Sequence, residues 1–244
     1  MKTILITGVG KGFGRALLEY FSKEYFVIGV TRSKDDIDNI QNDESLKSHH
    51  YELIEADVTD FDTLNNLVSR SLDNRSDSIY GLINNAGVRC RKPLLELSID
   101  DIRRVIESNL LSAINLTQVL IPYFIHNGKG RIINVSSILS QQSLPDLSAY
   151  SVSKGGLDSF TRSVAVEFGS KQITCNSILP GFCKTSYYEN FRRNDELYSM
   201  TLSKTPLGRW GEVNELTGVC DLLLSDSGAY INGASIPIDG GWLA

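Results

Sequence analysis

The stretch that decides the fold is Thr7-Gly8-Val9-Gly10-Lys11-Gly12-Phe13-Gly14, near the start of a chain of 244 residues. It follows a short apolar run and precedes a segment whose apolar residues recur at helical spacing. Glycines permit a tight turn and a close approach of the backbone to a ligand. The start of the following helix offers free N–H groups and a positive dipole end to a pyrophosphate. The turn therefore predicts a dinucleotide site, although its spacing, T-G-x-x-x-G-x-G, is not G-x-G-x-x-G.

Short apolar runs and helical stretches alternate outward from this turn along the whole chain. Strands are predicted at residues 3–7, 26–30, 51–54, 79–83, 131–135, 173–178 and 234–238. Nearly continuous apolar runs of this kind are typical of strands covered by helices on both faces. The pattern predicts an α/β fold, a doubly wound Rossmann-type sheet of about seven parallel strands with helices on both faces. Because no linker, repeat or low-complexity tract interrupts the pattern, we expect a single domain over residues 1–244.

The segments between the predicted strands are interpreted as helices at residues 14–24, 98–124, 146–168 and 212–224. Thr59 followed by Asp62, and Ser98 followed by Asp101, have the spacing of helix-capping pairs. Residues 182–209 are polar, aromatic and irregular in pattern. Ligands of such a sheet bind beyond the carboxyl ends of its strands, so this last segment is a candidate substrate lid.

The composition excludes several classes of protein. The chain carries 24 basic and 29 acidic residues, a formal net charge of -5, whereas nucleic-acid proteins usually present a basic surface. Nothing approaches the roughly 20 consecutive apolar residues of a membrane-spanning helix, and Gly8 interrupts any signal-peptide core. The four cysteines form no C-x-x-C pair, and the three histidines have no zinc-ligand spacing. We therefore expect a cytoplasmic protein with no metal and with no nucleic-acid or membrane partner.

Further motifs follow the glycine turn in order along the chain. They are Asp57-Val58 after the third predicted strand, Asn84-Asn85-Ala86-Gly87 after the fourth, Asn109 in the long helix, Ser137 after the fifth strand, Tyr150-x-x-x-Lys154, and Pro180-Gly181 with Thr185 after the sixth strand. With these motifs the chain resembles the short-chain dehydrogenase/reductase family, in its short-subunit branch. It is similar overall to the 3-oxoacyl-carrier-protein reductases. Each motif alone is weak, but the ordered set covers the entire chain.

The resemblance implies a role for each matching residue. The implied cofactor-binding residues are Gly8, Gly10, Lys11, Gly12, Phe13, Gly14, Arg32, Asp57, Val58, Asn85, Ala86, Gly87, Tyr150, Lys154, Pro180, Gly181 and Thr185. The implied catalytic residues are Asn109, Ser137, Tyr150 and Lys154. In the family, Asp57 would contact the adenine, Lys154 the nicotinamide ribose, and Asn109 a water that connects Lys154 to solvent. A homotetramer or homodimer is also implied.

The spacing of Tyr150 and Lys154 suits the chemistry of a carbonyl group. Reduction of a ketone requires a proton for the developing alkoxide, and an unperturbed tyrosine, with a pKa of about 10, is a poor donor. Lys154 lies one helical turn after Tyr150, and its positive charge would lower the pKa of the phenol. The Ser137 hydroxyl would stabilise the substrate oxygen where negative charge develops. We therefore expect an oxidoreductase that interconverts a ketone and a secondary alcohol.

The end of the second predicted strand bears on the choice of cofactor. An acidic residue there usually binds the ribose 2′-hydroxyl of NAD, but this strand ends Val30-Thr31-Arg32-Ser33. Arg32 could pair with a 2′-phosphate instead, and Lys11 adds a second positive charge. NADP(H) is therefore predicted over NAD(H), although Asp35 and Asp36 follow closely and keep NAD(H) open.

The substrate is the least determined part of the prediction. Gln141, Gln142, Tyr187 and Tyr188 are candidate substrate residues, and their polarity favours a sugar-like, hydroxylated or anionic small molecule. A 3-oxoacyl-carrier-protein reductase is an alternative, because Arg192 and Arg193 could contact an acidic carrier protein. A non-catalytic NADP(H)-binding sensor or scaffold is an alternative of another class. A serine hydrolase is excluded by the lack of a G-x-S-x-G elbow.

Overall fold

The computed structural model describes residues 1–73, 78–185 and 188–244. Seven strands form one sheet in the order β3-β2-β1-β4-β5-β6-β7, and each neighbouring pair is parallel. The strands are β1 (Thr3–Thr7), β2 (Phe26–Thr31), β3 (Tyr51–Glu55), β4 (Ile79–Asn84), β5 (Gly130–Val135), β6 (Ile173–Pro180) and β7 (Ser235–Ile238). The predicted α/β fold with a doubly wound parallel sheet is confirmed.

Helices cover both faces of this sheet. They are α1 (Gly12–Phe21), α2 (Lys34–Gln41), α3 (Phe61–Asp73), α4 (Ile99–Ile106), α5 (Ser112–His126), α6 (Ser148–Phe168), α7 (Tyr188–Arg192), α8 (Asp195–Lys204) and α9 (Thr217–Leu224). One core packs α1 and α9 on the sheet around Phe21, and the other packs α3, α5 and α6 around Phe124. Burying one such large apolar side chain contributes about 1.5–3 kcal/mol, so the two cores hold the helices on the sheet.

Three local predictions need correction. Thr59 does not cap a helix; its N–H and hydroxyl both donate to Asp57 Oδ1, and α3 begins at Phe61. The side chain of Asp60, adjacent to the first helical residue, accepts the Thr63 N–H at 3.2 Å instead. Residues 182–209 are not wholly irregular, because they contain α7 and α8. The helix α2 was not predicted, since its eight residues contain only two apolar side chains.

The capping pair at Ser98 is confirmed. Its hydroxyl accepts the Asp101 N–H at 3.0 Å, and the Asp101 carboxylate accepts the Ser98 N–H at 3.3 Å. The helix that begins there continues through a π-helical turn (Glu107–Leu111) into α5, and runs without a break from Ile99 to His126. By length and composition this helix could cross a membrane, but half of its apolar stretch is buried inside the fold. The buried apolar side chains of this helix therefore contribute to the core.

The strand order determines where a ligand can bind. β1 pairs with β2 on one side and with β4 on the other, so the chain crosses the sheet between them. The connections after β1 and β4 diverge at this point and leave a crevice beyond the carboxyl ends of the strands. The glycine turn after β1 and the Asn84-Asn85-Ala86-Gly87 segment after β4 therefore face each other.

Candidate active site

The glycine turn leaves no room for larger residues at two positions. Gly8 has a φ of +73°, a backbone conformation that other residues rarely adopt, and a Cβ there would lie 3.0 Å from the Ala86 Cα. A Cβ on Gly14 would lie 2.0 Å from the carbonyl oxygen of Gly8. The first turn of α1 is therefore packed directly on the end of β1.

Hydrogen bonds join this turn to the segment after β4. The Asn85 side-chain amide donates to the carbonyl oxygens of Thr7, at 2.9 Å, and Gly8, at 3.2 Å. The Thr7 hydroxyl accepts the backbone N–H groups of Asn85 and Ala86, both at 3.0 Å. The two loops on either side of the crevice are thus one hydrogen-bonded unit.

A cavity of about 620 Å³ runs along this unit and reaches α6. Fifteen of the predicted cofactor-binding residues line it: Gly8, Gly10, Lys11, Gly12, Phe13, Gly14, Arg32, Asp57, Val58, Asn85, Ala86, Gly87, Tyr150, Lys154 and Thr185. The other two lie elsewhere, since Pro180 ends β6 and Gly181 lines a second cavity. An elongated cavity bounded by a glycine turn and a helix start fits a dinucleotide with its pyrophosphate at α1.

Two basic side chains lie at the end of the cavity near β2. Arg32 and Lys11 are 68% and 69% exposed, and each is loosely paired with a carboxylate. Arg32 Nη1 lies 3.7 Å from Asp57 Oδ2, and Lys11 Nζ lies 3.4 Å from Asp36 Oδ1. Burial alone would raise the pKa of Asp57, but hydrogen bonds from Thr59 and the charge of Arg32 lower it. The end of the cavity thus holds ionised groups of both signs.

Tyr150 and Lys154 lie at the other end, on the first turns of α6. Both are buried, and Lys154 Nζ donates to the carbonyl oxygen of Val135, at 2.7 Å, at the end of β5. That nitrogen is 5.9 Å from the centre of the Tyr150 ring. Burial lowers the pKa of Lys154, and the charge of Arg89 lowers it further, against the opposing effects of Tyr150 and Asp158. The tyrosine and lysine are brought together as their spacing predicts.

Arg89 is a functional candidate that sequence reasoning missed. Its guanidinium carbon lies 5.1 Å from the centre of the Tyr150 ring, and its side chain lines the cavity. Burial would raise the pKa of Tyr150, but the charges of Arg89 and Lys154, with hydrogen bonds from Arg89 and Ser137, lower it below its usual value. The available signal was an arginine two residues after the Asn84-Asn85-Ala86-Gly87 motif.

Asn109 and Ser137 complete the surroundings of Tyr150. Asn109 lies in the π-helical turn; its Oδ1 accepts the Val88 N–H at 2.7 Å, and its Nδ2 donates to Val88 O and Ser153 Oγ. A π turn inside an α-helix is frequent at functional sites. Ser137 is buried after β5, where its hydroxyl accepts the Leu139 N–H at 3.1 Å. The predicted catalytic residues therefore converge from three separate segments.

A second cavity, of about 410 Å³, adjoins this group. The described residues that line it are mostly apolar: Ile138, Leu139, Leu144, Leu147, Phe182, Phe191 and Leu197, with Arg89, Arg91, Ser137, Gly181 and Asn194. Phe191, Asn194 and Leu197 come from segment 182–209. Arg89 lines both cavities, so it stands where they meet.

The predicted substrate residues occupy other places. Gln141 is exposed, and Gln142 accepts a hydrogen bond from the Trp242 indole N–H at 3.1 Å. Tyr188 packs against Trp210, with ring centres 5.1 Å apart, in an aromatic cluster. Tyr187 lies outside the described residues. The second cavity is thus built mainly from apolar residues near Ser137 that the sequence did not single out.

Comparison with known proteins places these features in one family. The sequence model of a family described as Enoyl-(Acyl carrier protein) reductase matches residues 8–243. The chain is 32% identical to the 3-oxoacyl-[acyl-carrier-protein] reductase FabG of Thermotoga maritima, over 98% of this chain and 97% of that protein. It is 29% identical to the gluconate 5-dehydrogenase of Gluconobacter oxydans, over 97% of this chain and 93% of that protein.

Solved structures resemble the fold over the same length. A gluconate 5-dehydrogenase from Burkholderia cenocepacia in complex with NADP and tartrate superposes with a TM-score of 0.93 at 26% identity, over 99% of this chain and 95% of that one. A 4-hydroxyisoleucine dehydrogenase complexed with NADH gives a TM-score of 0.92 at 31% identity, over 99% and 98%. Similar proteins have thus been solved with either nicotinamide cofactor.

Proposed function

This chain belongs to the short-chain dehydrogenase/reductase family, which uses nicotinamide cofactors, and we propose that it interconverts a ketone and a secondary alcohol with NADP(H). Tyr150 acts as the general acid and base. The observation that carries this proposal is the position of its phenol, in the lining of the first cavity and beside two cations, one of which, Arg89, also lines the second cavity. The dinucleotide, when bound, supplies or accepts the hydride.

The proton is handled by Tyr150. In reduction its phenol donates a proton to the substrate oxygen, and in oxidation the phenolate accepts one. The positive charges of Arg89 and Lys154 favour the phenolate, and this lowers the pKa of the phenol from its usual value toward neutrality. The Ser137 hydroxyl hydrogen-bonds the substrate oxygen and stabilises the charge that develops there. Asn109 keeps the segment that carries Arg89 in place through both backbone groups of Val88.

The preference for NADP(H) rests on the charges near β2. Arg32 and Lys11 would bind the 2′-phosphate, and their long ion pairs with Asp57 and Asp36 leave them exposed to a ligand. The glycine turn and the start of α1 would hold the pyrophosphate, and Lys154 the nicotinamide ribose. The Burkholderia cenocepacia relative, solved with NADP, supports this preference, whereas the relative solved with NADH keeps NAD(H) as the alternative.

The substrate is a polar small molecule, sugar-like or anionic, and segment 182–209 serves as its lid. The relative named for gluconate supports this choice. A second candidate is reduction of a 3-oxoacyl group on a carrier protein, which the largely apolar second cavity and the relative from Thermotoga maritima favour. NADPH oxidation with a 3-oxoacyl thioester, compared with a panel of keto-sugars and keto-acids, separates the two.

Assembly into a homotetramer or homodimer is part of the proposal. Several apolar side chains on α4 and α6 are exposed to solvent. Ile99 is 59% exposed, Val152 65% and Val166 86%. Exposed apolar groups gathered on neighbouring helices are typical of surfaces that pack against another protein. Measurement of the molar mass in solution by light scattering tests this, and a monomer at micromolar concentration would contradict it.

The experiment that tests the proposed function is the substitution Tyr150→Phe. We expect this variant to bind NADPH with the affinity of the unmodified protein, because the phenyl ring is kept, and to lose at least about a hundredfold in kcat, the contribution of one general acid. Carbonyl reduction that survives the substitution would contradict the role of Tyr150. Failure of the unmodified protein to turn over any carbonyl, despite binding NADPH, would favour a sensor or scaffold.

A further inference from the structure

The second cavity carries an inference about the substrate, which rests on the proposed function. We propose that the substrate is an organic acid whose carboxylate binds Arg89 and Arg91 and whose carbon chain lies against an apolar wall. Of the sugar-like and anionic small molecules considered above, this proposal selects the anionic ones. It also requires a carbon chain that is alkyl rather than hydroxylated.

The charged side chains in the described lining of the second cavity are all positive. Arg89 and Arg91 both line it, and the described lining includes no aspartate or glutamate. Guanidinium groups match the planar geometry of a carboxylate and bind it with two parallel hydrogen bonds. Both arginines are exposed, so water weakens the attraction, but the net charge of the described lining is still positive. An anionic ligand is therefore favoured over a neutral one of the same size.

One of these positive charges lies close to the Tyr150 ring. Arg89 stands where the two cavities meet, with its guanidinium carbon 5.1 Å from the centre of the Tyr150 ring. Its backbone is held through Val88, whose N–H and carbonyl bond to Asn109 at 2.7 and 2.9 Å. A carboxylate bound to Arg89 therefore lies close to the oxygen on which Tyr150 acts. The substrate carries its acid group within a few bonds of the reacting carbon.

Most of the described lining of the second cavity is an apolar wall. Ile138, Leu139, Leu144 and Leu147 line it from the segment after β5, and Phe191 and Leu197 from segment 182–209. Hydroxyl groups placed there would lose their hydrogen bonds to water, and Ser137 and Asn194 are the uncharged polar side chains of the described lining. An alkyl chain gains from the same burial. The wall thus discriminates against a polyhydroxylated chain.

Three six-carbon probes separate these arguments without requiring turnover. Hexanoate has the carboxylate and the alkyl chain, hexanamide lacks the charge, and gluconate replaces the alkyl chain by hydroxylated carbon. Their dissociation constants are measured by calorimetry on protein saturated with NADP⁺, so that the cofactor site is filled. We expect hexanoate to bind about tenfold tighter than hexanamide, the scale of one charge-assisted contact, and tighter than gluconate.

Two variants assign the preference to the arginines. Arg91→Gln and Arg89→Gln should each bring the affinities for hexanoate and hexanamide within about threefold of each other, because the charge that distinguishes them is reduced. Arg70→Gln, an exposed arginine in the last turn of α3, is the matched control and should keep the full preference. Urea unfolding of each variant verifies that the fold is intact, and a fluorescence titration of the unmodified protein with NADPH tests the cofactor site.

The outcomes are distinct. Equal affinity for hexanoate and hexanamide in the unmodified protein, or no binding of either at millimolar concentration, overturns the proposal. A preference that survives in both arginine variants overturns its assignment to Arg89 and Arg91. Tighter binding of gluconate than of hexanoate overturns the apolar chain. Failure of the unmodified protein to bind NADPH would instead contradict the proposed function. The NADPH titration detects this outcome independently of the three probes.

Discussion

The guanidinium carbon of Arg89 lies 5.1 Å from the centre of the Tyr150 ring, nearer than the 5.9 Å that separates this centre from Lys154 Nζ. The phenol therefore has two cations beside it, one from its own helix and one from the segment after β4. Hydrogen bonds from Arg89 and Ser137 add to their effect on its pKa. The pKa of the proposed proton donor is thus controlled by residues far apart in the chain.

The pH dependence of catalysis should move when Arg89 is changed. Arg89→Gln removes one of the cations that favour the phenolate, so the pKa of Tyr150 rises. Oxidation of the alcohol needs the phenolate and increases as pH rises through this pKa; its midpoint should therefore move to higher pH. The measurement is kcat/KM for oxidation against pH.

Arg89→Lys keeps a cation and should keep most of the unmodified profile, whereas Arg70→Gln should leave it unchanged. Lys154 and Ser137 face the phenol in every one of these variants, so the difference reports the charge at residue 89. A midpoint that is the same in Arg89→Gln and in the unmodified protein would contradict the effect of Arg89 on this pKa.

The choice between cofactors should depend on Arg32. Arg32→Ala removes the charge that would pair with a 2′-phosphate, and we expect NADPH to bind about tenfold more weakly, the effect of one exposed charge-assisted contact. NADH binding should stay within about twofold, since that cofactor has no 2′-phosphate. Fluorescence titration with both cofactors measures this. Equal affinity for NADPH and NADH in the unmodified protein would refute the preference.

The close packing of α1 on the glycine turn can be tested by adding one methyl group at Gly14. In Gly14→Ala the new Cβ would lie 2.0 Å from the backbone oxygen of Gly8, so α1 must shift. We expect a loss of about 1–3 kcal/mol in the free energy of unfolding and a loss of NADPH binding. Gly218→Ala is the matched control, because outside its own turn of α9 no described heavy atom lies within 4 Å of the added Cβ. That variant should gain up to about 1 kcal/mol and keep its affinity.

Asn109 should matter for stability and for the substrate, because it pairs both backbone groups of Val88. Asn109→Ala leaves these groups without their partner and should cost about 1–3 kcal/mol in urea unfolding. Since Val88 precedes Arg89, we also expect a higher KM for the substrate. Asn115→Ala, which breaks the amide pair with Asn65 further along the same helix, is the control. It should lower stability without a change in KM; an equal rise in KM would contradict the role of Asn109.

The fold could be predicted because its signals are local. Each buried strand shows as a short apolar run, and the glycine turn after β1 needs particular residues at particular positions. The same is true of Tyr150 and Lys154, whose spacing places them on one helical face. The prediction that Thr59 caps a helix was wrong because its hydroxyl donates to Asp57. At the actual helix start, the Asp60 side chain accepts the hydrogen bond of a backbone N–H.

The lining of the second cavity could not be predicted in the same way. Leu147 and Phe191 line the same cavity although they lie on opposite sides of β6 in the sequence. No periodicity in the sequence predicts that they share it. Gln142, polar and close to Ser137 in sequence, is instead held by Trp242, one hundred residues later. The place of Arg89 after the Asn84-Asn85-Ala86-Gly87 motif could have singled it out. Only the fold shows that its guanidinium lies near the Tyr150 ring.

The hydrogen bonds between Thr7 and the Asn85-Ala86 pair have a consequence for the order of events during synthesis. The Thr7 hydroxyl leaves the ribosome 78 and 79 residues before its partners, the backbone N–H groups of Asn85 and Ala86. Until β4 has emerged and paired with β1, the glycine turn lacks these hydrogen bonds. The crevice between the two loops can therefore form only in a chain that has already assembled the centre of its sheet.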